Sequence, residues 1–219
     1  HIVDANGDWI VRDDVFIRYQ TKEELKTGGL SIGFTGYGGK HHIGPEFQLG
    51  HLAGDAYDEP VLLIKTAWGG KSIHKDFRPP SAGVTTGEFY TKMLTEYREA
   101  LAKLGDEFPH LAKRKPVLGG FVWFQGWNDM FNDDARNNYQ ANLVHLINDI
   151  RKEVGQPELP VVIGELGNDG PKAGKSMLAI RAAQKAAAEA LGPNTAFVPT
   201  TQFARPAKES PNVTHGHHW

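Results

Sequence analysis

The sequence has no cysteine, almost no net charge and no long apolar run, and each absence excludes a class of function. Without cysteine the chain has no disulfide, no thiolate nucleophile and no cysteine-ligated metal. Its 24 lysine and arginine residues nearly balance 26 aspartate and glutamate residues, so it lacks the basic excess that binds nucleic acids and anionic membranes. Apolar runs such as 61–64 are strand-sized, too short to span a bilayer. We expect neither nucleic acid nor a membrane as a partner.

Four short apolar runs predict the strands of a parallel sheet within one domain, the number of domains that 219 residues favour. Each run is continuous rather than alternating, which is typical of strands that are buried on both faces. The four runs are Val61–Ile64, Phe121–Phe124, Val161–Ile163 and Ala196–Val198.

Helical patterns alternate with these runs. Apolar residues recur at three- and four-residue spacing from Tyr90 to Leu104 and from Leu143 to Val154. An alanine-rich segment, 176–191, has Ser176 as a candidate cap and is followed by Gly192, and a fourth helix is predicted from Pro45 towards Gly54. Residues 30–40 suggest a strand followed by a glycine-rich loop. Alternating strands and helices predict an α/β fold.

Glycine and polar residues directly follow every predicted strand, at the edge where open parallel sheets bind ligands. Two glycine-containing turns, an asparagine amide and a histidine would meet there, which are the donors and the general base of an acyl-transfer site. The segments are 66–72, 125–129, 165–168 and the stretch from Thr200 to the terminal "THGHHW".

Each of these residues also has an ordinary structural interpretation. Glycines such as Gly69 and Gly70 favour any strand-to-helix turn, and Asn128 and Asp129 are common turn formers and helix caps. Glu165 could bind backbone N–H groups near the site.

The tryptophans and terminal histidines leave similar alternatives open. Trp68 and Trp127 could be core residues, or they could wall a cleft that stacks against a sugar face. The histidines at 215, 217 and 218 could form a metal cluster, but no matching carboxylate spacing accompanies them, so no metal or other cofactor is predicted.

Three blocks, in this order, resemble the SGNH hydrolases, in particular the branch of sialate O-acetylesterases and carbohydrate esterase family 6. They are Ala67–Ile73, Gly126–Asp129 and the terminal "GHHW", so the resemblance covers about residues 44–219. It implies a single three-layer α/β domain, residues 1–219, with a mostly parallel, flavodoxin-like sheet. It also implies that this sequence lacks the domain's N-terminal nucleophile strand and C-terminal helix.

In that family a serine attacks an ester carbonyl, a histidine is its base, and several donors hold the oxyanion. The resemblance implies that Gly70 and Asn128 are oxyanion donors, and that His218, with His217 as second choice, is the base. We take the substrate-binding residues to be Gln125, Trp127, Trp68, Gly69 and Glu165.

The nucleophile does not match the family's pattern, because no Gly-x-Ser block of that type occurs. Gly29–Gly33 fits the elbow motif of α/β-hydrolases, but residues 22–29 before it do not read as a buried strand, so we treat the match as a coincidence. We expect the nucleophile to lie upstream of His1. The five serines are Ser31, Ser72, Ser81, Ser176 and Ser210.

The family's aspartate three residues before its histidine is also replaced, here by His215. Either Glu165 or Asp129 takes its place, or the enzyme works with a dyad.

The leading hypothesis is a serine-dependent esterase that removes acetyl groups from a carbohydrate. The alternatives are a non-catalytic carbohydrate-binding or scaffold domain and, last, a metallohydrolase. The sequence leaves the oligomeric state open, and analogy with enzymes of polymeric glycans suggests a secreted or periplasmic location.

Overall fold

The computed structural model describes residues 2–36, 42–83 and 85–209. Strands and helices alternate along them, so the predicted α/β class is confirmed. The chain forms two compact units, one drawn from His1–Gly69 and Lys92–Pro116 and the other from Gly70–Thr91 and Val117–Trp219. The strands are β1 (Val15–Gln20), β2 (Leu25–Gly29), β3 (Val61–Lys65), β4 (Phe121–Trp123), β5 (Val161–Gly164) and β6 (Thr195–Val198). The α-helices are α1 (Pro45–Ala56), α2 (Glu88–Ala102), α3 (Leu104–Glu107), α4 (Asp133–Asn137), α5 (Tyr139–Glu153) and α6 (Lys175–Ala190).

The first unit contains a three-stranded sheet in the order β2-β1-β3, with β1 antiparallel to β2 and parallel to β3. Val15 and Ile17 point from β1 into a core that Phe47 of α1 completes. As predicted, α1 has Pro45 at its first turn. On β1, Arg18 is 2% exposed and donates to Glu96 at 2.7 Å and to Glu107 at 2.8 Å.

The second unit contains an all-parallel sheet in the order β4-β5-β6. Trp123 pairs with Ile163, and both are buried, while the Trp123 Nε1 donates to the Tyr139 hydroxyl of α5 at 3.2 Å. Helix α6 packs against α5, β5 and β6. The carboxyl ends of these strands therefore share one edge.

The prediction of burial on both faces is wrong for two of the four apolar runs, Phe121–Phe124 and Ala196–Val198. In the second sheet Val122 pairs with Val162 and Val162 with Ala196, so these residues lie on one face, opposite Trp123. Val122 and Val198 are both 42% exposed. Only the face that carries Trp123 is well covered by the described residues.

Two local predictions are also corrected. Helix α6 begins at Lys175 with Gly174 as its cap, so Ser176 lies inside the first turn and does not cap it. Residues 30–36 form no strand, because the antiparallel partner of β1 is the preceding segment, Leu25–Gly29. The glycine that ends α6, Gly192, has the expected positive φ of 81°.

Candidate active site

Gly70 and Asn128, the two predicted oxyanion donors, lie side by side in the second unit. A Cβ placed on Gly70 would be 3.8 Å from Asn128 Nδ2. Gly70 has a φ of 75°, a conformation that favours glycine, and Asn128 begins a 3-10 turn, Asn128–Phe131. Within the described part of the chain, neither the Gly70 N–H nor the Asn128 carboxamide has a hydrogen-bond partner. Two donors thus lie close together, with their N–H groups available to a ligand.

Asp129 holds these two donors in place. Its side chain is fully buried, and its Oδ2 accepts hydrogen bonds from the Ile73 N–H at 3.0 Å and from Gln125 Nε2 at 2.7 Å. Its Oδ1 accepts a bond from the His74 N–H at 3.0 Å. Burial raises the pKa of Asp129, and these three hydrogen bonds oppose that shift. Because both oxygens accept hydrogen bonds from the protein, Asp129 acts as a clamp between two loops.

Gln125 extends the same clamp. Its Nε2 donates to the Lys71 carbonyl at 2.9 Å as well as to Asp129, and its Oε1 accepts from the Tyr139 hydroxyl at 3.1 Å. The Gln125 amide was predicted to bind substrate, but its polar atoms form hydrogen bonds within the protein. These bonds connect the loop that contains Gly70 and Lys71 to the loop that carries Asn128.

Glu165 binds backbone N–H groups, as one of the two sequence interpretations expected. Its Oε2 accepts from the N–H groups of Thr200 and Thr201 at 2.7 and 2.9 Å and from the Thr201 hydroxyl at 2.7 Å. Burial acts to raise the pKa of Glu165, but the bonds from Thr201 and Thr200 outweigh it, so the pKa lies below its ordinary value. Glu165 thus fixes the segment that follows β6.

The two tryptophans differ. Trp68 belongs to the core of the first unit, where it is 7% exposed, donates to the Gln20 carbonyl at 3.1 Å and lies under Lys92. Its ring face is therefore not available to a sugar, which corrects the cleft-wall interpretation for this residue. Gly69 is exposed and belongs to the same unit. Trp127 is half-buried and meets the 69%-exposed Phe131 edge-on, with ring centroids 5.9 Å apart.

Two of the described serines have side-chain partners in the structure. The Ser72 hydroxyl donates to Asp76 at 3.1 Å, and the Ser81 hydroxyl lies 2.9 Å from Nδ1 of His145, on α5. Ser31 lies two residues after the end of β2, and the described residues 32–36 that follow it form no helix, unlike a nucleophile elbow. His217, His218 and the rest of the terminal histidine segment lie outside the described residues. No three histidine, aspartate or glutamate side chains of the described residues are grouped to hold a metal.

Sequence reasoning missed two buried polar residues on α6, Arg181 and Gln184. The Arg181 guanidinium donates to the carbonyls of Leu166 and Gly170 at 2.7 and 2.9 Å and also to that of Asn168, which fixes the loop after β5. A signal was available, since Gln184 lies four residues after Ile180 and so falls on the apolar stripe of α6.

Two solved structures have a similar fold. A protein from Arabidopsis thaliana matches with a TM-score of 0.60 and 16% identity, over 89% of this chain and 75% of that one. A carbohydrate acetylesterase from Xanthomonas citri matches with a TM-score of 0.60 and 17% identity, over 89% of this chain but only 44% of that one. Identities this low establish the fold alone. No curated protein matches the chain significantly, and none of its described helices is long and apolar enough to cross a membrane.

A family model described as "Carbohydrate esterase, sialic acid-specific acetylesterase" matches residues 18–216. The matched range contains Gly70 and Asn128 and ends just before His217. This family assignment supports carbohydrate esterase activity. Since the match spans most of the sequence, the chain belongs to the sialic acid-specific acetylesterase family of carbohydrate esterases.

Proposed function

We propose that this protein is a carbohydrate O-acetyl esterase that acts through a serine acyl-enzyme, with Gly70 and Asn128 as oxyanion donors. One observation carries the proposal: the Asn128 amide lies 3.8 Å from the Cβ position of Gly70, and neither donor has a partner among the described residues. Donors fixed in advance around a developing negative oxygen contribute roughly 3 kcal/mol each to transition-state stabilisation. Family membership supports an acetylated carbohydrate as the substrate.

The reaction runs in two halves. The serine oxygen bonds to the acetyl carbonyl carbon while the histidine, His218 or else His217, takes the serine proton. The carbonyl oxygen gains charge and accepts hydrogen bonds from the Gly70 N–H and Asn128 Nδ2. The bond from carbon to the sugar oxygen then breaks, and the histidine returns the proton to that oxygen. Water repeats the sequence on the acetyl-serine and releases acetate, so no cofactor is required.

We assign the attack to a serine outside the described residues. Among the described serines only Ser81 hydrogen-bonds to a histidine, and that pair joins the 3-10 turn Pro80–Ala82 to α5 rather than the loops that follow the strands. Glu165 and Asp129, which both bind backbone N–H groups, are the candidate carboxylates for orienting the base, and a serine–histidine dyad is the alternative.

Acetate release by the full-length protein tests this proposal. We expect hydrolysis of an aryl acetate and of at least one acetylated glycan, such as acetylated xylan or an O-acetylated sialic acid. No release from any of them by a folded protein would reject the function.

Labelling with an organofluorophosphonate separates the esterase from a carbohydrate-binding domain of the same fold, since a binding domain carries no activated serine. The Ser81→Ala variant is the matched control. We expect it to label like the wild type, and loss of labelling would move the nucleophile to the Ser81–His145 pair.

A further inference from the structure

Gln184 is a fully buried amide on the apolar stripe of α6, and the proposed mechanism does not use it. Its Nε2 donates to the Gln125 carbonyl at 2.9 Å and to the Gly164 carbonyl at 3.2 Å. Its Oε1 accepts a hydrogen bond from the Leu166 N–H at 2.9 Å. One side chain thus bonds the loop after β4 and both sides of the β5 end.

Only a carboxamide fits this position. Two carbonyls need two donors and the Leu166 N–H needs an acceptor, and among neutral side chains only asparagine and glutamine offer both in one group. A leucine of similar volume would leave the Leu166 N–H and the Gly164 carbonyl buried and unpaired, at about 1–3 kcal/mol each, and would leave the Gln125 carbonyl with only the hydrogen bond from the Tyr139 hydroxyl at 2.6 Å. The Gln184 amide therefore bridges the loop after β4 and the loop after β5, at a point where the two chains no longer pair as strands.

The loop that Gln184 binds is the one that carries Asn128. A Cβ on Gly126 would lie 2.8 Å from Ile180 and 3.4 Å from Gln184 Nε2, so the turn passes directly against α6. From Gln125 the chain reaches Asn128 in three residues, and the Gln125 amide is itself bonded to Asp129.

We propose that Gln184 is a positioning residue of the esterase site, which sets the location of the Asn128 amide through the Gln125 carbonyl. This inference rests on the proposed function. Gln184 touches no substrate. A shift of the Asn128 turn weakens the bond to the transition-state oxygen and leaves ground-state binding nearly unchanged, so kcat is affected rather than KM.

The test compares Gln184→Glu with wild type in the full-length protein, using an aryl acetate. The new carboxylate faces two carbonyl oxygens, and burial raises its pKa. Relative to the wild type at the same pH, we expect kcat to fall about tenfold or more near pH 8 and KM to stay within about twofold. The ratio of variant to wild-type kcat should then rise as the pH is lowered and the protonated acid donates one bond. Gln140→Glu, at an exposed position on α5, adds the same charge and should behave like the wild type.

A second variant covers the case in which Gln184→Glu does not fold. Gly126→Ala pushes the same turn away from Ile180 while Gln184 stays intact, and kcat should again fall without a change in KM. Wild-type kcat at every pH in either folded variant would overturn the inference. If the wild type itself releases no acetate, the proposed function fails, and amide hydrogen exchange at residues 125–129 decides instead. Faster exchange in the variants supports positioning by Gln184, and unchanged exchange rejects it.

Discussion

Replacing Asn128 by alanine should lower kcat strongly and leave the free energy of unfolding nearly unchanged. The Asn128 carboxamide has no hydrogen-bond partner among the described residues, so its removal strands no buried group. We expect the free energy of unfolding to change by no more than about 0.5 kcal/mol. The loss of one oxyanion donor should lower kcat by about a hundredfold to a thousandfold, equivalent to about 2.7–4 kcal/mol of transition-state stabilisation.

The substrate dependence makes the prediction sharper. The donor would act on the acetyl carbonyl, which an aryl acetate and an acetylated glycan share. The loss in kcat/KM should therefore be the same factor for both substrates. A residue that binds the sugar would instead affect the glycan alone.

Asn132 offers a matched control in the same segment. Its Oδ1 accepts from the Ala135 N–H at 2.8 Å and caps α4. Asn132→Ala should lower the free energy of unfolding by about 1 kcal/mol and leave kcat unchanged. Steady-state kinetics and urea unfolding of both variants test the pair. A folded Asn128→Ala enzyme with wild-type kcat would refute the role of Asn128 and leave it as a turn residue.

Three further predictions concern binding and stability. Trp127→Ala should raise KM for an acetylated glycan and leave KM for an aryl acetate unchanged, and a variant that fails to fold would make Trp127 a core residue. The pKa of Glu165 is lowered in the folded state, so the stability it provides is fully present above its ordinary value of 4.5 and is lost as the pH falls towards the folded value. Glu165→Gln should therefore flatten the acid side of the stability curve from urea unfolding, and an unchanged slope would contradict this. Arg18→Met leaves two carboxylates unpaired near its buried position and should destabilise the protein by about 3–5 kcal/mol. Lys185→Met, which breaks the exposed pair with Glu189, should destabilise it by about 1 kcal/mol or less in the same measurement.

Short-range patterns predicted the four longer helices and four of the six strands, and long-range polar pairs account for two of the features that were missed. Strand β1 was missed because Arg18 interrupts its apolar run. The charge is tolerated there because Glu96 and Glu107, 78 and 89 residues further on, pair with it. Gln184 was missed for the same reason, since one partner, the Gln125 carbonyl, lies 59 residues away.

The sequence predicted part of the candidate site, and the rest depends on contacts between distant residues. The sequence places Gly70 and Asn128 after two predicted strands, and the parallel topology predicts that the ends of such strands meet at one edge. It does not reveal which neighbours are donors and which are supports. Asp129 reads as a turn former, and only its bonds to Ile73 and His74, 56 and 55 residues away, show that it is a clamp.

Polar residues around the site fall into two groups: those whose donors are available to a substrate, and those whose polar atoms bond to the protein. The donors of Gly70 and Asn128 have no partner among residues 2–36, 42–83 and 85–209, so a substrate oxygen that gains charge need not first displace one of these residues. Asp129, Gln125 and Gln184 have their polar groups bonded within the second unit, and these bonds connect the loops that carry the two donors. A donor variant should therefore lose rate without stability, whereas a variant of a supporting residue must lose some of both, because each of its bonds ends on a buried or partly buried protein atom.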